Sequence, residues 1–138
     1  MAKVLIYTDG GARGNPGPAG VGAVIFEDGL KVAELKQFIG SRQTNNWAEY
    51  EAVHLALQEA RQRGLNTQPI DVQLDSMLVA EQLSGHWKIK EPALREQWAK
   101  VRTLIAADFH TVRFTYVPRE KNTEADRLVN EAIDEAGY

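Results

Sequence analysis

Four acidic residues occupy positions from which their carboxylates could meet at one edge of a sheet. Asp9 and Asp75 each end a stretch with the pattern of a strand, and Glu49 and Asp126 lie about one turn into helical patterns. Taken singly, each fits an ordinary structural role, because Asp suits strand ends and acidic residues near a helix start complement its dipole. Four anions at one edge would repel one another, however, so only a bound cation makes the joint arrangement favourable.

The chemistry of this acidic set points to a hard divalent cation. Ligand sets made only of oxygen favour Mg²⁺ or Mn²⁺ over zinc and copper. Two such ions about 4 Å apart would stabilise the attacking and leaving oxygens of a phosphoryl displacement. The chain has no cysteine, which excludes disulfides, thiolate catalysis and cysteine-based zinc sites.

The elements that must position the carboxylates follow from periodicity and from turn signals such as Asp28-Gly29. Strands are predicted at residues 3–9, 21–27, 31–39, 70–75 and 112–117. Helices are predicted at residues 44–63, at 76–83, from Pro92 onward and after Asn122, which would cap the last one. The segment Gly10 to Gly20 is predicted to be a Gly/Pro-rich loop.

The order of these elements predicts an α/β fold with a five-stranded mixed sheet and helices on both faces. Three antiparallel strands come first, and two strands separated by helices then require parallel crossovers. The first strand should be central. Ligand sites in such sheets lie outside the carboxyl ends of the parallel strands.

Length and composition limit the class of protein. The 138 residues, 43% hydrophobic and 25% charged, fit a single soluble domain spanning 1–138. No stretch approaches the roughly 18 apolar residues of a membrane span, and no signal peptide is evident. We therefore expect a cytoplasmic protein without membrane association. The net charge of −3 argues weakly against a nucleic-acid partner.

One segment runs against that overall charge. Five basic residues and only two acidic ones lie between His86 and Arg102. The segment is either a surface for phosphates or a solvated helix face, and composition alone favours the second interpretation.

Several short blocks, in this order, resemble ribonuclease H of type 1. They are Tyr7-Thr8-Asp9-Gly10-Gly11, Gly14-Asn15-Pro16-Gly17-Pro18-Ala19-Gly20, Thr44-Asn45-Asn46-Trp47-Ala48-Glu49, Leu74-Asp75-Ser76 and Asn122-Thr123-Glu124-Ala125-Asp126. Each block is weak alone, but together they span nearly the whole chain. The resemblance implies an endonuclease that hydrolyses the RNA strand of RNA–DNA hybrids by a two-metal mechanism, leaving 3′-hydroxyl and 5′-phosphate ends. It places two Mg²⁺ ions, with Mn²⁺ as a possible substitute, at Asp9, Glu49, Asp75 and Asp126.

The glycine-rich segment is the first candidate for substrate contact. An enzyme for hybrids must detect a 2′-hydroxyl on one strand and its absence on the other. Gly10, Gly11 and Asn15 would let the backbone approach a sugar closely, since glycine places no side chain in the way. The alternative is an ordinary connection between strands.

The resemblance supplies four further substrate contacts. Arg42 and Thr44 match a pair that grips a phosphate of the DNA strand, and Thr44 is also the natural cap of its helix. Asn45 and Asn46 match positions that touch bases or sugars near the cut.

The chain departs from the family pattern in two places. Many bacterial members carry a long basic insertion, whereas the interval from Gly85 to Pro92 is short here. Many members also place a histidine before the last helix, but residues 118–121 contain none. Arg119 and Glu120 are the candidates for an auxiliary role at that position.

Two other functions remain open. The same fold could be a catalytically weak module that binds hybrids, or a nuclease of the ribonuclease H fold that acts on DNA. The complete set of four carboxylates disfavours the first, and the glycine-rich segment with Thr44-Asn45-Asn46 disfavours the second. We expect a monomer without an obligatory protein partner.

Overall fold

A computed structural model describes residues 3–138, and its five strands form one mixed sheet in the order β3-β2-β1-β4-β5. The strands are β1 (Val4–Ala12), β2 (Gly17–Glu27), β3 (Leu30–Gln43), β4 (Pro69–Leu74) and β5 (Thr111–Tyr116). Strands β1, β2 and β3 pair antiparallel, while β4 pairs parallel with both β1 and β5. The predicted mixed sheet with a central first strand is therefore confirmed.

Four helices cover the two faces of the sheet. They are α1 (Asn45–Gln62), α2 (Met77–Leu83), α3 (Pro92–Asp108) and α4 (Thr123–Glu135). Helix α1 packs on β1, β2 and α3, whereas α4 packs on β1, β2 and β3. Among residues 3–138, no helix combines the length and apolar character needed to cross a bilayer.

The main hydrophobic core lies between the sheet and the first three helices. Alternate residues of the central strands, such as Val4 and Ile6 in β1 and Ile70 and Val72 in β4, are at most 1% exposed. They point to one face because successive strand residues alternate between faces. This packing fixes the directions of β1, which contains Asp9, and of β4, which Asp75 directly follows.

The prediction of a loop from Gly10 to Gly20 is wrong at both ends. Strand β1 continues through Ala12 and β2 begins at Gly17, so the connection consists only of residues 13–16. Gly10 pairs with Val21 and Gly11 with Gly20 in the antiparallel ladder. Helices pack closely on both faces of the sheet at this point: a Cβ added at Gly10 would meet α1, and one added at Gly20 would lie 3.0 Å from the Val129 carbonyl oxygen in α4.

Gly10 shows how close that packing is. A Cβ atom added at Gly10 would lie 2.1 Å from the carbonyl oxygen of Ala48, in the first turns of α1. The opposing atom is backbone, so it can move only if the helix moves. Gly10 therefore sets the distance between β1 and α1.

We expect Gly10→Ala to lower the free energy of unfolding by at least about 2 kcal/mol, because overpacking against rigid backbone forces helix and strand apart. Gly11→Ala is the matched control, since its Cβ would meet only Val129 and Asn45 at 3.8 and 4.0 Å. That change should stay within about 1 kcal/mol of the parent. Urea unfolding of both variants measures the difference, and equal losses would contradict the assigned role of Gly10.

Candidate active site

Three carboxylates converge where the parallel pairing of β1 with β4 ends, a point that lies within β1 because this strand continues past Asp9 to Ala12. One oxygen from each of Asp9, Glu49 and Asp75 can be chosen such that all lie within 4.8 Å of one another. The parallel register pairs Thr8 with Leu74, so the next residues, Asp9 and Asp75, lie side by side on neighbouring chain segments. The group has the oxygen-only composition that hard divalent cations prefer.

Glu49 reaches this group from the beginning of α1. The Thr44 hydroxyl caps the helix by accepting a hydrogen bond from the Trp47 N–H at 3.2 Å. The Gly10 N–H donates to Glu49 Oε1 at 3.2 Å, which ties the carboxylate to β1. Glu49 Oε2 is buried and has no hydrogen-bond partner among residues 3–138.

The unpaired Glu49 oxygen indicates whether these three residues are suited to bind a metal ion. A buried polar atom without a partner costs free energy, and a buried anion costs more. A cation held by Asp9, Glu49 and Asp75 would give Glu49 Oε2 a ligand and would offset the repulsion among the three groups. The three residues therefore fit a metal ion.

Asp126 lies beside this group and acts on Asp9. It stands four residues after Asn122, in the first turn of α4, and its charge contributes to raising the pKa of Asp9. It is not part of the compact set of Asp9, Glu49 and Asp75. The structure thus brings three of the four predicted carboxylates into one cluster and places the fourth next to it.

The position of α4 depends on Asn122, which is the N-cap residue as predicted, although its side chain does not cap the helix. Its backbone angles, φ −126° and ψ 34°, are not those of an extended cap, and its side chain makes no cap hydrogen bond. The amide instead donates to the carbonyl oxygen of Thr8 at 2.8 Å, with Asn122 only 1% exposed. The start of α4 is thereby fastened to the residue that precedes Asp9.

Burial and mutual repulsion make these carboxylates hard to ionise. Burial, with the charges of Asp75 and Asp126, raises the pKa of Asp9 from 3.8 to about 7, against a lowering by its hydrogen bond with Glu49. Burial and then the Asp9 charge raise the pKa of Glu49 well above 4.5. Burial also raises the pKa of Asp75, and the Arg119 guanidinium opposes this rise.

Two of the predicted contact residues connect the 13–16 turn to α1. The Asn45 N–H donates to Asn15 Oδ1 at 3.0 Å, and Asn45 Oδ1 accepts from the Ala12 N–H at 2.8 Å. Arg42, at the end of β3, is exposed, and Asn46 is half-buried. Gly11 is half-buried at the end of β1. These residues surround the start of α1, near Glu49.

The two auxiliary candidates share a short 3-10 turn, residues 119–121, before α4. Arg119 Nε lies 4.0 Å from Asp75 Oδ2, and its side chain is 86% exposed. Glu120 is exposed as well. Arg119 is therefore an exposed cation beside the acidic cluster.

Comparison with known proteins agrees with this architecture. Residues 7–132 match the family described as "Reverse transcriptase-like". The chain is 46% identical over 136 residues to the bifunctional protein Rv2228c of Mycobacterium tuberculosis, covering 97% of this chain and 36% of that protein. It is 45% identical over 135 residues to ribonuclease HI of Halobacterium salinarum, covering 97% and 66% respectively. The chain thus spans about a third of the first relative and about two thirds of the second.

Among solved structures, LC11-RNase H1 in complex with an RNA/DNA hybrid superposes with a TM-score of 0.93 at 46% identity, covering 97% of this chain and 99% of that one. The fold and the acidic cluster together define a protein of the ribonuclease H-like class. The identity over nearly the full length of LC11-RNase H1 is more specific: the chain belongs to the type 1 ribonuclease H family.

The raised pKa values predict an unusual pH dependence for the metal-free protein. Between about pH 4 and 7 the folded state holds a proton on Asp9 that the unfolded state has released, so stability falls as pH rises through this range. Asp9→Asn removes this loss of stability, because asparagine does not ionise. We expect it to raise the free energy of unfolding at pH 8 by about 1–4 kcal/mol, with a smaller gain at pH 5.

Urea unfolding in the presence of a chelator at both pH values measures this effect. Glu96→Gln, at an exposed position of α3, is the control and should change stability little at either pH. A gain from Asp9→Asn that is equal at pH 5 and pH 8 would contradict the raised pKa of Asp9.

Proposed function

We propose that this chain is a metal-dependent endonuclease that hydrolyses the RNA strand of RNA–DNA hybrids and leaves 3′-hydroxyl and 5′-phosphate ends. The observation that carries the proposal is the convergence of Asp9, Glu49 and Asp75, with one buried Glu49 oxygen unpaired. The hybrid seen with LC11-RNase H1, at 46% identity, supports the choice of substrate.

Asp9, Glu49, Asp75 and Asp126 would hold the metal, with Mg²⁺ as the preferred ion and Mn²⁺ as a substitute. Two Mg²⁺ ions bound there supply positive charge that stabilises the attacking and leaving oxygens of the phosphodiester. The protein contributes position: β1 and β4 fix two carboxylates, while α1 and α4 bring the others to them. Because Asp9 and Glu49 are each only 7% exposed, few water molecules compete for their oxygens.

The residues around the start of α1 would bind the hybrid beside the metal. Exposed Arg42 suits a phosphate of the DNA strand, since a guanidinium donates two parallel hydrogen bonds to phosphate oxygens. Thr44 would add a short hydrogen bond, and Asn45 and Asn46 would contact bases or sugars near the cut. Asn15, held by the Asn45 N–H, would present the 13–16 turn to the same groove.

The segment that includes Gly10 and Gly11 would approach a sugar through its backbone. A Cβ at Gly11 would meet nothing closer than 3.8 Å, so this position has room on its own side. Gly10 has a second role, in the packing of α1 described above. The contact with a 2′-hydroxyl would therefore fall to Gly11.

A single domain acting as a monomer suffices for this activity. All four carboxylates come from one chain, and the five strands of residues 3–138 form one sheet. The cytoplasm remains the expected compartment.

We expect Asp9→Asn and Asp75→Asn to lower kcat for a labelled hybrid by at least about 10²–10³-fold at saturating Mg²⁺, the loss typical for removing one electrostatic partner of the transition state. The matched control is Asp71→Asn. Asp71 also belongs to β4, but its carboxylate accepts from Thr115 at 2.9 Å, away from the cluster.

Matched RNA and DNA duplexes, with Mg²⁺ or a chelator, separate this function from its alternatives. Binding of the hybrid without cleavage would identify a binding module, and cleavage of the DNA duplex would identify a nuclease acting on DNA. Near-normal turnover by Asp9→Asn or Asp75→Asn would remove the central role of the cluster.

The auxiliary residues should tune the rate rather than permit it. Arg119, near Asp75, can stabilise negative charge that develops at the cut phosphate, whereas Glu120 could loosen a metal and ease product release. A group of this kind is worth at most about 10²–10⁴-fold. We expect Arg119→Ala to slow single-turnover cleavage more than Glu120→Ala, and both less than Asp126→Asn. The ranking is wrong if either loop variant, while folded, loses as much rate as Asp126→Asn.

A further inference from the structure

A buried hydrogen-bond chain runs from α1 to the loop between α2 and α3. The Tyr50 hydroxyl donates to Gln82 Oε1 at 2.6 Å, and Gln82 Nε2 donates to the Lys88 carbonyl oxygen at 3.2 Å. Tyr50 is fully buried and Gln82 is 4% exposed. A carbonyl oxygen can only accept, so the Gln82 amide must turn its nitrogen to Lys88 and its oxygen to Tyr50.

Packing alone does not require polar groups at these two positions. Phenylalanine and an apolar side chain of similar size would fill the same volume without bringing a hydroxyl and an amide into the core. Burying such groups is costly unless each finds a partner. Both side chains make hydrogen bonds, and the Gln82 amide binds the backbone of a surface loop. These hydrogen bonds therefore hold that loop in place.

The loop in question, residues 84–91, is short, basic and anchored a second time. Arg95 Nη2 donates to the Ile89 carbonyl oxygen at 2.8 Å, so two successive carbonyls accept from well-placed side chains. Lys88 and Lys90 are exposed, and Trp87 is 46% exposed. A groove of about 400 Å³ lies here between Trp87, Arg95 and neighbouring side chains.

One short helix, α2, separates the loop from the acidic cluster. Helix α2 begins two residues after Asp75, and its seven residues span about 10 Å before the loop begins. At the other end of the hydrogen-bond chain, Tyr50 directly follows Glu49. This hydrogen-bond chain therefore connects α1, which carries Glu49, to the loop that follows α2, the helix that begins after Asp75.

We propose that Tyr50 and Gln82 are positioning residues that hold the loop of residues 84–91 at a fixed place relative to the carboxylates. Lys88, Lys90 and Trp87 are then ready to meet the phosphate backbone of the hybrid without first becoming ordered. Pre-organisation of this kind improves binding by lowering its entropic cost. The inference rests on the proposed function, since it assigns the loop to the same hybrid.

Kinetics of Gln82→Met and Tyr50→Phe test this role. The expected result is a KM for the labelled hybrid raised about threefold to tenfold, the effect of losing one or two hydrogen bonds, with kcat within twofold of the parent. In a Lys88→Ala/Lys90→Ala background the same substitutions should add little, because the cations they position are gone. Gln58→Met, elsewhere on α1, is the matched control and should leave KM unchanged.

Trypsin provides a readout that does not depend on activity. Cleavage after Lys88 and Lys90 in the native protein should be faster in Gln82→Met and Tyr50→Phe than in the parent or Gln58→Met. If Gln82→Met does not fold, Tyr50→Phe, which removes one oxygen atom, carries both measurements.

The outcomes separate the two proposals. A parent protein that does not cleave hybrid contradicts the proposed function, and the trypsin comparison then decides whether the loop is anchored. With an active parent, unchanged KM in folded Tyr50→Phe overturns the positioning role. So does an increase in KM that persists in full after both lysines are removed.

Discussion

Mutual repulsion among buried carboxylates is the constraint to which the rest of the structure responds. Asp9, Glu49 and Asp75 lie within 4.8 Å through at least one oxygen each, and burial makes their ionised forms still less favourable. The three carboxylates would separate if the strands and the helix that carry them could move easily. Each carboxylate is instead attached to an element fixed elsewhere: two to strands of one sheet, and one to a capped helix held against that sheet.

The supports around the site act through backbone groups. Gly10 lets α1 approach β1 so closely that its N–H reaches Glu49, and Asn122 fastens α4 to the carbonyl oxygen of Thr8. These contacts flank Asp9 on both sides along the chain. Backbone atoms of a central strand move little, so the strand itself holds a carboxylate that lies between two such contacts.

Most of the fold could be predicted from the sequence because the elements are periodic and their order allows few topologies. The carboxylates could be predicted because strand ends and helix starts identify where they meet. The glycine-rich segment was mistaken for a loop because local patterns do not show that helices press on both faces there. The side chain of Asn122 was expected to cap α4 because a capping residue and a residue that makes a long-range contact look alike in sequence. Gln82 could not be singled out because one of its partners, Tyr50, is distant in sequence, and the other is a backbone carbonyl group, that of Lys88.

The contact between Asn122 and Thr8 has a consequence for how the protein folds. It joins residues 114 positions apart, the longest-range side-chain hydrogen bond at the acidic cluster. Closing so large a loop has an entropic cost, and contacts of this range tend to form late. The first strands can pair soon after synthesis, but α4 docks only after residues 123–135 have been made. Asp126 therefore joins the other three carboxylates only in the last steps of folding, and partly folded chains lack the complete set of four.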